Sequence, residues 1–228
     1  MGCFLMCGIV GLLADGPVNQ PIYDALTTLQ HRGQDAAGIM TCENQRLHLR
    51  KSNGLVRDVV AQRHMLRLKG SMGIGHVRYP TAGAKSPTES QPFYVNSPFG
   101  LSIVHNGNLV NSRELEEELH LADLRHLNTQ SDSEVLLNVF AHELQAITDQ
   151  AMSIPAMFKA VTATCQRLIG AYAVVIMING HGLLAFRDPN GIRPLVYGTK
   201  QSSSNGHQST MVASETIPLD AIKFSASR

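Results

Sequence analysis

Three helical stretches in close succession, Ser112 to Leu121, Asp132 to Ile147 and Pro155 to Leu168, stand between two groups of strand-like segments. The middle one is the clearest. Ser131 and Glu134 have capping-box spacing, and Leu136, Phe140, Leu144 and Ile147 fall along one face that must pack on something. Before the helices come short apolar or alternating runs at Gly8 to Leu13, Ala37 to Cys42, Arg46 to Lys51, Met72 to Tyr79, Phe93 to Asn96 and Leu101 to His105. A helix from Asn19 as cap, with Pro21 in its first turn, ends at Gly33, and a second helical rhythm covers Val56 to Leu68. After the helices, Ala171 to Ile178 and Leu183 to Arg187 flank Asn179-Gly180, the signal of a tight antiparallel hairpin. Further strands follow at Pro194 to Tyr197 and Met211 to Ser214. Strands, helices, then strands again, without regular strand-helix alternation, predict an α+β fold with stacked sheets rather than a doubly wound one.

The 228 residues are enough for one large core. Nineteen basic against eighteen acidic residues leave no field that would attract nucleic acid or an anionic membrane, so neither is expected as a partner. The longest uncharged apolar run, Met1 to Leu13, is shorter than the roughly 20 residues of a spanning helix. It lacks the basic flank of a secretory signal. Cys3, Cys7, Cys42 and Cys165 are too scattered for a disulfide framework or a zinc site, and suit a reducing cytoplasm. No metal is expected in this domain.

Cys7 precedes a glycine and an apolar strand. By itself it reads as a small buried hydrophobe. If the mature chain begins at Cys7, however, its α-amino group, with a reference pKa of about 7.7 to 8.0, lies within reach of the thiol. One residue then supplies both nucleophile and base.

Five blocks now stand in register: Cys7-Gly8-Ile9-Val10-Gly11, His31 to Ile39, Gly73 to Thr81, His105-Asn106-Gly107-Asn108-Leu109 and Ser131-Asp132-Ser133-Glu134. Together they resemble the class II glutamine amidotransferase domain. Val77-Arg78-Tyr79-Pro80-Thr81, Gln91 to Asn96 and Arg187 to Leu195 resemble its amidophosphoribosyltransferase branch. The resemblance implies an N-terminal-nucleophile hydrolase fold, a four-layer α/β/β/α sandwich of two mainly antiparallel sheets.

It also implies roles. The Cys7 thiolate attacks the side-chain amide of glutamine, ammonia leaves, and water hydrolyses the γ-glutamyl thioester. The Asn106 side-chain amide and the Gly107 N–H would hold the oxyanion, each such donor contributing about 3 to 4 kcal/mol. From the dipeptide alone, Asn106-Gly107 reads equally as a hairpin turn. Arg78 would fork onto the substrate carboxylate and Asp132 would face its ammonium. Arg32 and Thr81 are lesser substrate-contact candidates, Arg32 reading equally as a helix C-terminal charge. His31, His76 and His105 are read as structural.

Residues 1–6 would acylate the base, so they are expected to be a leader or a misassigned start, with 7–228 as the glutaminase domain. Paired acidic residues beside a Gly-Thr-Thr loop, which in the family hold 5-phosphoribosyl diphosphate and Mg²⁺, have no counterpart here. The chain is therefore expected to be cut short of a phosphoribosyltransferase domain, and the parent to be a homo-oligomer that makes 5-phosphoribosylamine. Two alternatives stand beside this: another class II amidotransferase, like glucosamine-6-phosphate synthase, and a non-catalytic glutamine-binding module if residues 1–6 persist.

Overall fold

A computed structural model describes residues 6–79, 87–147, 152–201 and 207–227. The first half runs β1 (Gly8–Leu13), α1 (Asn19–Thr28), β2 (Ala36–Glu43), β3 (Arg46–Asn53), α2 (Val56–Val59), α3 (Gln62–Met65), β4 (Met72–Arg78), β5 (Phe93–Val95) and β6 (Leu101–Leu109). There follow α4 (Ser112–Asp123), α5 (Asp132–Ile147), α6 (Ile154–Arg167), β7 (Gly170–Ile178), β8 (Gly182–Arg187), β9 (Val196–Gln201), β10 (Gln208–Ala213), α7 (Ile217–Ala221) and β11 (Ser225–Ser227). Among the described residues, no helix is long and apolar enough to cross a membrane.

The strands form a seven-stranded sheet ordered β11-β9-β10-β1-β4-β2-β3 and a four-stranded sheet ordered β5-β6-β7-β8. All pairings are antiparallel. Because side chains alternate across a strand, each buried strand feeds two cores. Val10 and Leu12 of β1 and Val77 of β4 pack beneath Ile22, Leu26 and Leu29 of the α1 region. Ile9, Ile74, Val104, Val175 and Met177 fill the space between the sheets. Leu101, Ile103, Tyr172 and Val174, on the far face of the second sheet, meet Leu136, Phe140 and Leu144 of α5. Three cores separate four layers, the α/β/β/α order that the resemblance implies.

Several local readings change. The rhythm from Val56 to Leu68 is broken into α2 and α3, because side chains occupy the backbone groups a continuous helix would use. Arg50 Nε donates to the Val59 carbonyl at 2.7 Å, and the Ala61 N–H donates to His64 Nδ1 at 3.1 Å. Asn19 lies inside α1, behind Val18 as cap, and its Nδ2 donates to the Met65 carbonyl. The Ser131/Glu134 pair forms no reciprocal box. The buried Glu134 carboxylate instead accepts the N–H groups of Asn128 and Thr129, at 3.0 and 2.8 Å, pinning the loop before α5. The strand expected at Pro194 to Tyr197 runs from Val196 to Gln201, where β10 and β11 pair with it on its two edges. Beyond Ser214, where the sequence pattern predicts no element, α7 and β11 follow, and β11 forms the edge of the seven-stranded sheet.

Candidate active site

The register of β1 against β4 sets Gly8 opposite Val77, so Cys7 falls beside Arg78 where the pair ends. Ile9 and Ile74 point between the sheets, and the two-residue alternation sends Cys7 and Arg78 to the same side. On the second sheet Val104 also points inward, and Asn106 shares its face. Asp132 opens α5, which packs on the outer face of that second sheet. A cavity of about 330 Å³ opens here, lined by Cys7, Arg78, Tyr79, His105, Gly107 and Asp132 among others. That volume sits at the lower end of small-molecule sites.

Cys7 is held at both ends. Arg32 Nε donates to its carbonyl at 3.0 Å, and the Tyr79 N–H lies 3.5 Å from its sulfur. Burial pushes the thiol pKa up, the Tyr79 N–H and the Arg78 charge pull it down, Asp132 adds a smaller upward push and Arg32 a smaller downward one. Burial prevails, so the thiol stays protonated near neutrality and needs a base to become a nucleophile. Arg78 is buried, its Nη1 3.7 Å from Asp35 Oδ2. Arg32 does not line the cavity: its guanidinium lies between the Cys7 carbonyl and the Glu215 carboxylate. It supports the Cys7 backbone. It also lies beyond the last turn of α1, which has no basic residue. Thr81 lies outside the described residues.

The edge of β6 carries the most information. Asn106-Gly107, read equally as a turn, is extended strand, opposite Ala173 and Tyr172 of β7. Alternate backbone groups of a strand point to the same edge. The His105 N–H donates to Gln91 Oε1 at 2.6 Å, and the Leu109 N–H donates to Asp132 Oδ2 at 2.9 Å. Gly107, midway between them, therefore directs its N–H to that same edge, at the cavity it lines. A Cβ at Gly107 would lie 2.1 Å from the Ala171 carbonyl oxygen, so only glycine lets β6 and β7 approach this closely. Asn106 is buried, and among the described residues its Nδ2 meets no acceptor. A buried donor without a partner is costly unless a ligand supplies one.

The histidines divide. His105 Nδ1 pairs with Ser133 Oγ at 2.9 Å at the cavity wall, while burial pushes the His76 pKa down to about 3, keeping that ring neutral. His31 lies at the surface against Glu215. Sequence reasoning missed Gln91, Tyr79 and Ser133. Ser133 and Tyr79 sit within recognised blocks, but Gln91 gave no signal beyond its place in the Gln91-Pro92-Phe93 string. Among the described residues no three His, Cys, Asp or Glu side chains gather as a metal site.

The profile of the glutamine amidotransferase domain matches residues 76–221. The chain is 58% identical over 223 residues to the amidophosphoribosyltransferase of Pseudomonas aeruginosa, covering 98% of this chain and 44% of that protein. It is 58% identical over 220 residues to the Escherichia coli amidophosphoribosyltransferase, covering 96% and 43%. The solved glutamine phosphoribosylpyrophosphate amidotransferase of B. subtilis superposes with a TM-score of 0.80 at 31% identity, covering 97% of this chain and 45% of that one. The chain thus spans somewhat less than half the length of these relatives.

Proposed function

The chain belongs to the glutamine amidotransferase domain family, and from that membership we propose that it hydrolyses glutamine to glutamate and ammonia through a thioester on Cys7. The observation that carries this reading is the gathering of Cys7, Arg78, Gly107 and Asp132 around one cavity. A free amino acid presents a carboxylate and an ammonium at fixed separation. Arg78 and Asp132 offer the matching charges, with the nucleophile on the first sheet and the oxyanion donors on the second.

The chemistry follows from the local electrostatics. The α-amine of Cys7, freed by removal of residues 1–6, takes the thiol proton that burial otherwise retains. The sulfur attacks the amide carbon, and the oxygen's developing charge falls to the Asn106 amide and the Gly107 N–H. The ammonium thus formed returns its proton to the leaving nitrogen, and ammonia departs. Water then cleaves the thioester to give glutamate and the free thiol.

In the parent protein we propose that this ammonia passes to 5-phosphoribosyl diphosphate, giving 5-phosphoribosylamine at the opening of purine synthesis. The resemblance to amidophosphoribosyltransferases over nearly the whole chain supports that acceptor. In that parent, Mg²⁺ and a phosphate-binding loop would belong to a phosphoribosyltransferase half. The free thiols of Cys7, Cys42 and Cys165 support a cytoplasmic, reducing location, and assembly as a homo-oligomer completes the proposal.

A Cys7→Ala variant tests the reading. It should fold with an unchanged melting profile and lose glutamine hydrolysis by at least about 10⁴-fold. The mass of the first peptide should show Cys7 at the N terminus of active protein. An active sample still carrying Met6 would refute the α-amine as base.

A further inference from the structure

Gln91 lies outside every strand and helix, yet it is buried and its side chain makes three hydrogen bonds. Its Oε1 accepts the His105 N–H at 2.6 Å, and its Nε2 donates to the His105 carbonyl at 3.0 Å and to Ser133 Oγ at 3.0 Å. Bonding both backbone groups of one residue is what a neighbouring strand does. β5 covers β6 only from Leu101 to Ile103, and Gln91 extends that ladder with a side chain to the residue just before Asn106. The segment is itself braced from the other sheet. Lys51 Nζ on β3 donates to the Ser90 carbonyl at 2.6 Å and the Pro92 carbonyl at 3.1 Å. At Gly38 on β2 a Cβ would lie 2.0 Å from the Gln91 carbonyl oxygen, so that strand presses directly on the segment. A chain of contacts therefore runs from the nucleophile's sheet, through Gln91, to the strand that carries the oxyanion donors.

We infer that Gln91 is a positioning residue, one that fixes the aim of the Gly107 N–H and the Asn106 amide relative to the Cys7 sulfur. The inference rests on the glutaminase reading. Gln91 lines the cavity, but its side-chain amide is taken up by His105 and Ser133. Without its side chain the edge of β6 loses its brace at His105 and keeps the Asp132 bond at Leu109, and the two donors drift from the place where charge develops. Substrate affinity should change less than kcat, because Arg78 sits on β4 of the other sheet and Asp132 meets the Gln91 side chain through Ser133 Oγ.

The test compares Gln91→Ala and the isosteric Gln91→Glu with the unaltered intact protein, each checked for folding by its melting curve. Glutamate at Gln91 keeps the acceptor for the His105 N–H and loses both donors, so it preserves shape if the alanine variant fails to fold. Two readouts are taken: glutamine hydrolysis, and the affinity for L-glutamate γ-semialdehyde. The thiol adds across that aldehyde, forming an S–C bond and moving its proton to the aldehyde oxygen, which then sits where the oxyanion would. Gln91→Ala should lower kcat about 10- to 100-fold with KM within about twofold, and Gln91→Glu should fall between it and the unaltered protein. Aldehyde affinity should drop by the same factor as kcat, while glutamate affinity holds. Folded variants with unchanged kcat, or with a raised KM alone, overturn the inference while leaving the glutaminase reading intact. Unaltered, N-terminally processed protein that neither hydrolyses glutamine nor binds the aldehyde overturns both.

Discussion

Asn106-Gly107 and Asn179-Gly180 are the same dipeptide in two settings. Asn179-Gly180 turns the β7/β8 hairpin: Gly180 has φ of +77°, the His181 N–H donates to the Ile178 carbonyl, and Ile178 pairs with Gly182 across the loop. With positive φ at Gly180 but not at Asn179, this is the arrangement of a type II turn. Asn106-Gly107 is extended and paired on β7, and neither residue has positive φ. The dipeptide permits a turn without requiring one. Around Asn106-Gly107 the Gln91 side chain and the Asp132 carboxylate hold the strand at His105 and Leu109, and the turn is suppressed. The surface Asn-Gly serves the chain's path; the buried one leaves the Asn106 amide without an acceptor among the described residues and sets Gly107 at the cavity.

Substituting the two dipeptides in parallel puts that contrast at risk. The largest difference is expected between Asn106→Ala and Asn179→Ala. The first should cut kcat for glutamine about 10²- to 10³-fold, as loss of one oxyanion donor does, with little change in melting temperature. The second loses the bonds from its side chain to the Gln45 carbonyl and the Cys42 thiol, so it should cost about 1 kcal/mol of stability and leave kcat alone. Equal effects on kcat would erase the distinction.

Gly107→Ala and Gly180→Ala sharpen it next. At Gly107 the added carbon meets backbone on the neighbouring strand, and denaturant titration should show a loss of about 1 to 3 kcal/mol together with reduced hydrolysis. At Gly180 the nearest atom is 3.6 Å away on the Gln45 side chain, so only the positive φ is strained. A cost near 1 kcal/mol with full activity is expected there.

The smallest effect separates the two regions by pH. His76, between the sheets near His105, has its pKa depressed from 6.5 to about 3 in the folded protein. Between these values the unfolded chain binds the proton and the folded one does not, so stability rises with pH and is lost as pH falls from about 6.5 toward about 3. The step from pH 6.5 to 5.5 should cost roughly 1 kcal/mol, and His76→Phe should flatten it. Hydrogen exchange should then quicken at β4 and β6 in acid before it does at the β7/β8 turn. An unaltered slope in the His76 variant would remove this residue from the comparison.

Much of this could be read beforehand because it is local. The apolar alternation of Gly8 to Leu13 and the stripe through Leu136, Phe140 and Leu144 follow from which residues avoid water, and they gave β1 and α5 their bounds. Cys7, Arg78, Gly107 and Asp132 were recognisable as motif members. The break between α2 and α3 was illegible because Arg50, from a different element, takes the Val59 carbonyl. Glu134 had the right spacing for a capping box, yet the loop at Asn128 and Thr129 offered closer donors. Gln91 was illegible for the same reason: nothing within the chain near it indicates that its amide would reach His105.

The amino-acid order alone determined most element types, the β7/β8 hairpin and the residue chemistry, since each depends on neighbours a few positions apart. Which strands became neighbours, and hence that Cys7 faces Arg78 while Gly107 directs its N–H toward the Asp132 side of β6, was decided only on folding. Register is a long-range choice. It is fixed by whole faces of side chains packing at once and by braces such as Gln91, whose partners are remote in the chain until the sheets close.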